Sequence, residues 1–289
     1  MYASAWLQPF IYSTTYSIRE MLTWGTFAVD GAAMKGPASK RSEFMSPEGL
    51  RVDGRRAGEV RRLQCRLSVA AADGSAYVEQ GNTKVLVLVN GPKEASSRVR
   101  ALHDRALITV EYSAVPFAGG QFKPQPRTDR AAQEMAAAIH HVFEPLVLTY
   151  LYPRTQIKVS IACLEADGGL RSAAINATTL ALVDAGIALK DFVCASSAGS
   201  VHGALLLDPN AQETMAGAEL CVGYLPSCEQ ISMLQLESRL SLTAVDEVIH
   251  FALAGCKQVH TNPPSPPPPP PHTPPPPPPA TALTPRCMK

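Results

Sequence analysis

Gly168, Gly169, Arg171 and Ser172 stand together near the start of a long apolar stretch, Ala166 to Val193, and their types and order suit the capture of an anion. Where a strand turns into a helix, the leading backbone N–H groups point outward and the helix dipole adds partial positive charge, so phosphate is the first candidate ligand. The glycines permit close backbone approach, while Arg171 and Ser172 add side-chain donors. The same residues also fit an ordinary strand-to-helix turn in which Gly168 and Gly169 only relieve crowding. A second group is basic: Arg51, Arg55, Arg56, Arg61, Arg62 and Arg66, followed by Arg98, Arg100 and Arg105. Clustered arginine can track a phosphate backbone or form a solvated surface with salt bridges.

The elements that must position these groups follow from periodicity. Leu63 to Val69 and Ala76 to Asn90 are strand-like, with a turn at Gly81-Asn82, and Gly91-Pro92 leads into a polar loop, Lys93 to Arg105. Leu107 to Val115 reads as the next strand. Asp129 can cap a helix from about Arg130 to Phe143 that places Ala132, Met135, Ala136 and Ile139 on one face. Ile157 to Ala166 is a nearly continuous apolar strand, covered on both faces. The helix Ala173 to Ala185 is apolar almost all round and stops at Gly186. Strands at Gly203 to Leu207, Leu220 to Leu225 and Gln230 to Leu236 precede an amphipathic helix, Leu242 to Cys256. This order predicts an α/β (α+β) fold, with mixed sheets packed on helices around one core.

A chain of 289 residues with 46% hydrophobic content can bury a real core. Its organisation is read as an unmatched N-terminal extension, residues 1–44, expected to be disordered; a folded domain, residues 45–260; and a disordered proline-rich tail, residues 261–289. More than half of the 26 prolines lie between Pro263 and Pro279, where missing N–H donors forbid helix and ladder. GPASKRSEF before Met45 is linker-like, and Met45 is a candidate true start. The net charge of +1 gives no global sign of nucleic-acid binding. The seven cysteines form no CxxC pair, which predicts buried free thiols in a reducing compartment. His103, His140, His141, His202 and His250 have no partners at ligand spacing and are read as structural or solvent-facing. No run approaches the roughly 20 apolar residues of a membrane span, and a soluble intracellular protein is expected.

RVDGRR at Arg51 to Arg56, GSAYVEQGNTKVLVLVNGPKE at Gly74 to Glu94 and ADGGLRSAAINATTLALVDAGIALKDFV at Ala166 to Val193, the last continued by VCASSAG and LLLD, together resemble the RNase PH family. The resemblance covers most of residues 45–260. It implies an RNase PH-like domain of two βαβ-type halves and membership of a hetero-hexameric ring of RNase PH-like exosome subunits. RNA-binding cap subunits and threaded single-stranded RNA are the further implied partners, with no membrane. Implied roles are ribosomal RNA maturation and messenger RNA turnover in nucleus, nucleolus and cytoplasm.

Active members of the family perform phosphorolysis, in which inorganic phosphate attacks the 3′-terminal phosphodiester and releases a nucleoside diphosphate. Their phosphate loop reads GGTR followed by Ser or Thr; Gly168, Gly169, Arg171 and Ser172 match it and Leu170 replaces the threonine. A second phosphate arginine matches Arg130, with Arg127 as the fallback. Arg98 and Arg100 match the loop that faces the RNA channel. The family also places paired aspartates six positions apart, for Mg2+ or acid catalysis. Anchored on Asp208, those positions fall on Thr214 and Leu220; anchored on the following strand, they fall on Glu213 and Glu219. Two functions follow from the resemblance: a structural, RNA-guiding ring subunit, or a phosphorolytic 3′-to-5′ exoribonuclease using inorganic phosphate and Mg2+ through Glu213 and Glu219. A third reading takes the polyproline tail as a docking scaffold for aromatic-grooved domains.

Overall fold

The computed structural model describes residues 16–17, 45–46, 49–94, 103–119, 129–201 and 203–261. Arg98, Arg100, Arg127, His202, the proline-rich tail beyond Thr261 and all of the N-terminal extension except Tyr16–Ser17 lie outside the described residues.

Two five-stranded sheets form the frame. The first runs β2 (Leu63–Leu67), β3 (Gly74–Gln80), β4 (Thr83–Glu94), β6 (Thr155–Glu165) and β5 (Leu107–Ala114) in spatial order. β3 and β4 form the expected hairpin across Gly81-Asn82, and Val85, Val87 and Val89 turn alternately inward. Only β5 and β6 pair in parallel, because helix α1 (Arg130–Phe143) crosses between them. Asp129 caps α1 by accepting from Ala131 N at 3.1 Å, as its position before the apolar period predicts.

The second sheet runs β1 (Tyr16–Ser17), β10 (Gln230–Leu236), β9 (Ala218–Leu225), β7 (Cys194–Val201) and β8 (Ala204–Leu207), antiparallel throughout. The parallel βαβ crossing is thus confined to the first half, and only the first sheet is mixed. β7 was not foreseen as a strand because its residues, CASSAGSV, are small and carry no apolar alternation.

Helix α2 (Leu170–Asp184) lies between the sheets, packed on β3 and β4 on one side and β7 on the other. Its alanines, threonines and Ser172 are small enough for close approach, so it is buried around most of its circumference. It begins three residues earlier than periodicity indicates, since Ser172 Oγ donates to Gly169 O at 2.8 Å and draws the first turn tight against the glycine. The short α3 (Ala211–Ala216) and the long α4 (Leu242–Thr261) complete the fold. α4 covers the face of the second sheet that α2 does not.

Two buried apolar clusters replace the single expected core. One joins the first sheet, α1 and α2 with Ala195 and Leu225; the other joins Ala198, Leu220, Val222 and Tyr224 to Val248, Ala252 and Cys256 of α4. The second sheet has helices on both faces, so its alternating side chains feed both clusters. All six cysteines among the described residues are free thiols, three of them buried. Among the described residues no helix is long and apolar enough to cross a membrane.

Candidate functional site

Gly168 and Gly169 have φ of +74° and +60°, a left-handed conformation that side chains disfavour, and Gly169 is the N-cap of α2. The close approach they permit is to the protein's own chain. A Cβ on Gly168 would overlap the Pro209 carbonyl and the Asn210–Ala211 backbone. One on Gly169 would lie 2.8 Å from the Arg61 guanidinium and 3.0 Å from the Asp208 carboxylate. Relief of crowding, the plainer of the two sequence readings, therefore accounts for both glycines.

Beneath the turn lies a sealed ion pair. Arg61 Nε and Nη2 donate to Asp208 at 2.8 and 2.6 Å, Arg61 N donates to the same carboxylate at 3.0 Å, and the guanidinium also donates to the carbonyls of Asp167 and Gly168. Burial alone would raise the Asp208 carboxyl, but the Arg61 hydrogen bonds and charge outweigh it and hold it below the usual carboxylate range. Asp208 itself adopts φ +52° directly after β8, and its N donates to Ser197 O of β7. The first half (Arg61, Asp167, Gly168) and the second half (Ser197, Asp208) are therefore fastened at one point.

Above the turn, Arg171 leaves the first turn of α2 and donates from Nη1 to Glu237 Oε1 at 2.7 Å. Glu237 follows β10, and its N donates to Glu219 O on β9 at 3.2 Å, so the ladder fixes the two glutamates side by side. The Glu219 carboxyl is raised mainly by burial and further by Glu237 and Asp208, against the lowering pull of Thr214 and Arg171. Ser172 is fully buried and its hydroxyl is spent on Gly169 O, so it is not the side-chain donor to an anion that its place in the loop suggests. Arg171, Glu219, Glu237 and Thr214 are brought together beside the glycine turn, and the Ser197 hydroxyl faces Gly169. Glu237 carried no signal in the sequence, because it lies 66 residues from Arg171 and only strand pairing brings it near.

Glu213 requires a correction. The resemblance pairs it with Glu219 as a catalytic and metal-binding carboxylate, but both its oxygens are engaged elsewhere. Oε1 accepts from Arg51 Nε at 2.9 Å, and Oε2 accepts from Arg51 Nη2 and from Asn210 N. It is the third residue of α3 in a capping box with Asn210, and it is buried beside an equally buried Arg51. The signature was legible as Asn210 followed three residues later by Glu213. Mg2+ needs open carboxylate oxygens. With Glu213 committed and Glu237 on Arg171, the residues present do not fit the paired-carboxylate metal site that the resemblance implies.

Arg130 is exposed at the start of α1 and bonds Glu134 at 2.9 Å; no described bond ties it to the glycine turn. The basic segment divides. Arg51 and Arg61 are buried in ion pairs, Arg55 bonds Asp53 and Asn210, and Arg56, Arg62 and Arg66 stay exposed. His103, His141 and His250 are exposed as expected, but His140 and His141 do have a partner at ligand spacing: His140 Nδ1 lies 3.7 Å from the Glu144 carboxylate one turn on, and with His141 the three ligand atoms fall within 4.8 Å of one another.

Comparison with known proteins agrees with this architecture. The profile of the 3′ exoribonuclease family, domain 1, matches residues 59–188, and that of domain 2 matches residues 191–255. The chain is 47% identical over 222 residues to the exosome complex component RRP41 of Homo sapiens, covering 76% of this chain and 91% of that protein. It is 41% identical over 224 residues to the exosome complex component ski6 of Schizosaccharomyces pombe, covering 77% and 93%. Among solved structures, rice (Oryza sativa) Rrp46 superposes with a TM-score of 0.65 at 25% identity, covering 73% of this chain and 96% of that one.

Proposed function

We propose, from the premise that this chain belongs to the 3′ exoribonuclease family of RNase PH type, that it is a core subunit of an RNA exosome and serves as ring wall and RNA contact. It takes its place in a hetero-hexameric ring of RNase PH-like subunits, under RNA-binding caps, around threaded single-stranded RNA, in nucleus, nucleolus and cytoplasm. The observation that carries the reading is the commitment of the groups phosphorolysis would use. Attack by inorganic phosphate needs a guanidinium open to the anion and a carboxylate poised at the leaving oxygen. Arg171 is held by Glu237, and Glu213 by Arg51 and Asn210. The phosphorolytic alternative, with inorganic phosphate and Mg2+, finds no comparable support.

Assembly has physical support as well. Leu67, Val69 and Val183 are 45%, 49% and 42% exposed, and Ser68 bonds Asp184 at 2.9 Å, which holds the two segments together as one apolar patch beside the β2 edge. Exposed Arg56, Arg62 and Arg66 leave basic charge for a polynucleotide. The test is mass. Co-expressed with the other RNase PH-like subunits of its own cell, the chain should be recovered in a hetero-oligomer by native mass spectrometry; a stable lone monomer in their presence would contradict the reading.

A further inference from the structure

We infer that Glu237 is the residue that shuts the glycine turn to inorganic phosphate: its carboxylate sits on Arg171 as a built-in anion, beside donors that remain able to hold an oxyanion. The inference deepens the exosome-subunit reading and rests on it. Two observations carry it independently. First, Arg171 meets Glu237 through Nη1 alone at 2.7 Å, while its buried Nε has no partner. Second, Ser197 is 1% exposed with an unpartnered hydroxyl, and that hydroxyl lies 3.1 Å from where a Gly169 Cβ would stand, so it faces the glycine turn. Buried polar groups are ordinarily hydrogen-bonded, so unpaired ones gathered about one turn mark a recess shaped for a polar occupant.

Glu237 is well placed to win that recess. The bond from its N to Glu219 O fixes its backbone at the end of the ladder, so its carboxylate competes as part of the same molecule and free phosphate must compete from solution. Carboxylate and phosphate make the same charge-assisted bonds to a guanidinium, so removing the one opens the place to the other. Glu237 is thus a specificity-determining residue, and its role is exclusion.

The test titrates inorganic phosphate into the full chain, followed by 31P NMR, with Glu237→Gln and Glu237→Ser as separate variants so that one poorly folding protein cannot decide the matter. Both variants should bind phosphate at least about tenfold more tightly than the unaltered chain, and Arg171→Met added to either should abolish the gain. Unchanged affinity in both variants, or a gain that survives Arg171→Met, would overturn the inference. Native mass spectrometry of the same variants with their partner subunits separates the two claims. Assembly without a gain in phosphate binding strikes the lock alone, and a gain in a chain that stays monomeric beside its partners strikes the ring reading alone.

Discussion

Arg61 and Arg171 both stand at one glycine turn, each bound to a carboxylate, yet the Arg61–Asp208 side chains are 5% and 0% exposed while those of Arg171–Glu237 are 17% and 54% exposed. A sealed pair has been stripped of water and cannot be opened without stranding a charge, whereas a half-open pair can trade its partner for solvent or another ion. The same two side-chain chemistries therefore act as a fastener that cannot be opened at Arg61 and, at Arg171, as a contact that substitution of Glu237 can open. Burial, more than residue type, separates the structural arginine from the one that can meet a ligand.

The largest expected effect comes from breaking the lower pair. Arg61→Met should cost about 3–5 kcal/mol, because Asp208 would be left buried, charged and unpaired, and urea unfolding monitored by circular dichroism should register it. A loss below about 1 kcal/mol would erase the contrast between the pairs. Next comes the turn itself: Gly169→Ala combines a left-handed φ of +60° with contacts at 2.8 and 3.0 Å to Arg61 and Asp208, and should cost about 1–3 kcal/mol by the same measurement. Glu237→Gln should change stability by no more than about 1 kcal/mol, as expected of a pair with one partner half in water.

The smallest effect is one of pH, and its sign differs between the two sides. Asp208 is lowered in the fold, so its contribution is present above the unfolded carboxylate range and is lost as pH falls through its folded value. Glu219 is raised in the fold, so ionising it weakens the folded state as pH climbs through that value. Glu219→Gln should accordingly raise the melting temperature at neutral pH, with the gain vanishing below the ordinary glutamate range. A gain that persists in acid would mean that the substitution acts through packing.

Most of the frame was legible in the chain. Alternation in β4, the Asp129 cap of α1 and the uniform apolarity of α2 are local signals, and each element formed there, α2 with a start three residues early. β7 escaped because a buried strand of alanine and serine has no period to read, and α3 because six residues are too short to show a helical period beyond their capping box. The site was half legible. The glycine turn and Arg171 stand in one segment, but what they touch does not: Arg61, Asp208 and Glu237 arrive from three other parts of the chain. A sequence shows that a guanidinium is available, and only the fold shows which carboxylate has taken it.

The most direct test of the account incubates the assembled protein, in the presence of Mg2+, with single-stranded RNA, with and without inorganic phosphate, and measures nucleoside diphosphates. With Arg171 and Glu213 committed as they are, no phosphate-dependent release traceable to this subunit is predicted. Nucleoside diphosphates that form only when phosphate is added, and that disappear with Arg171→Met in this chain, would contradict it.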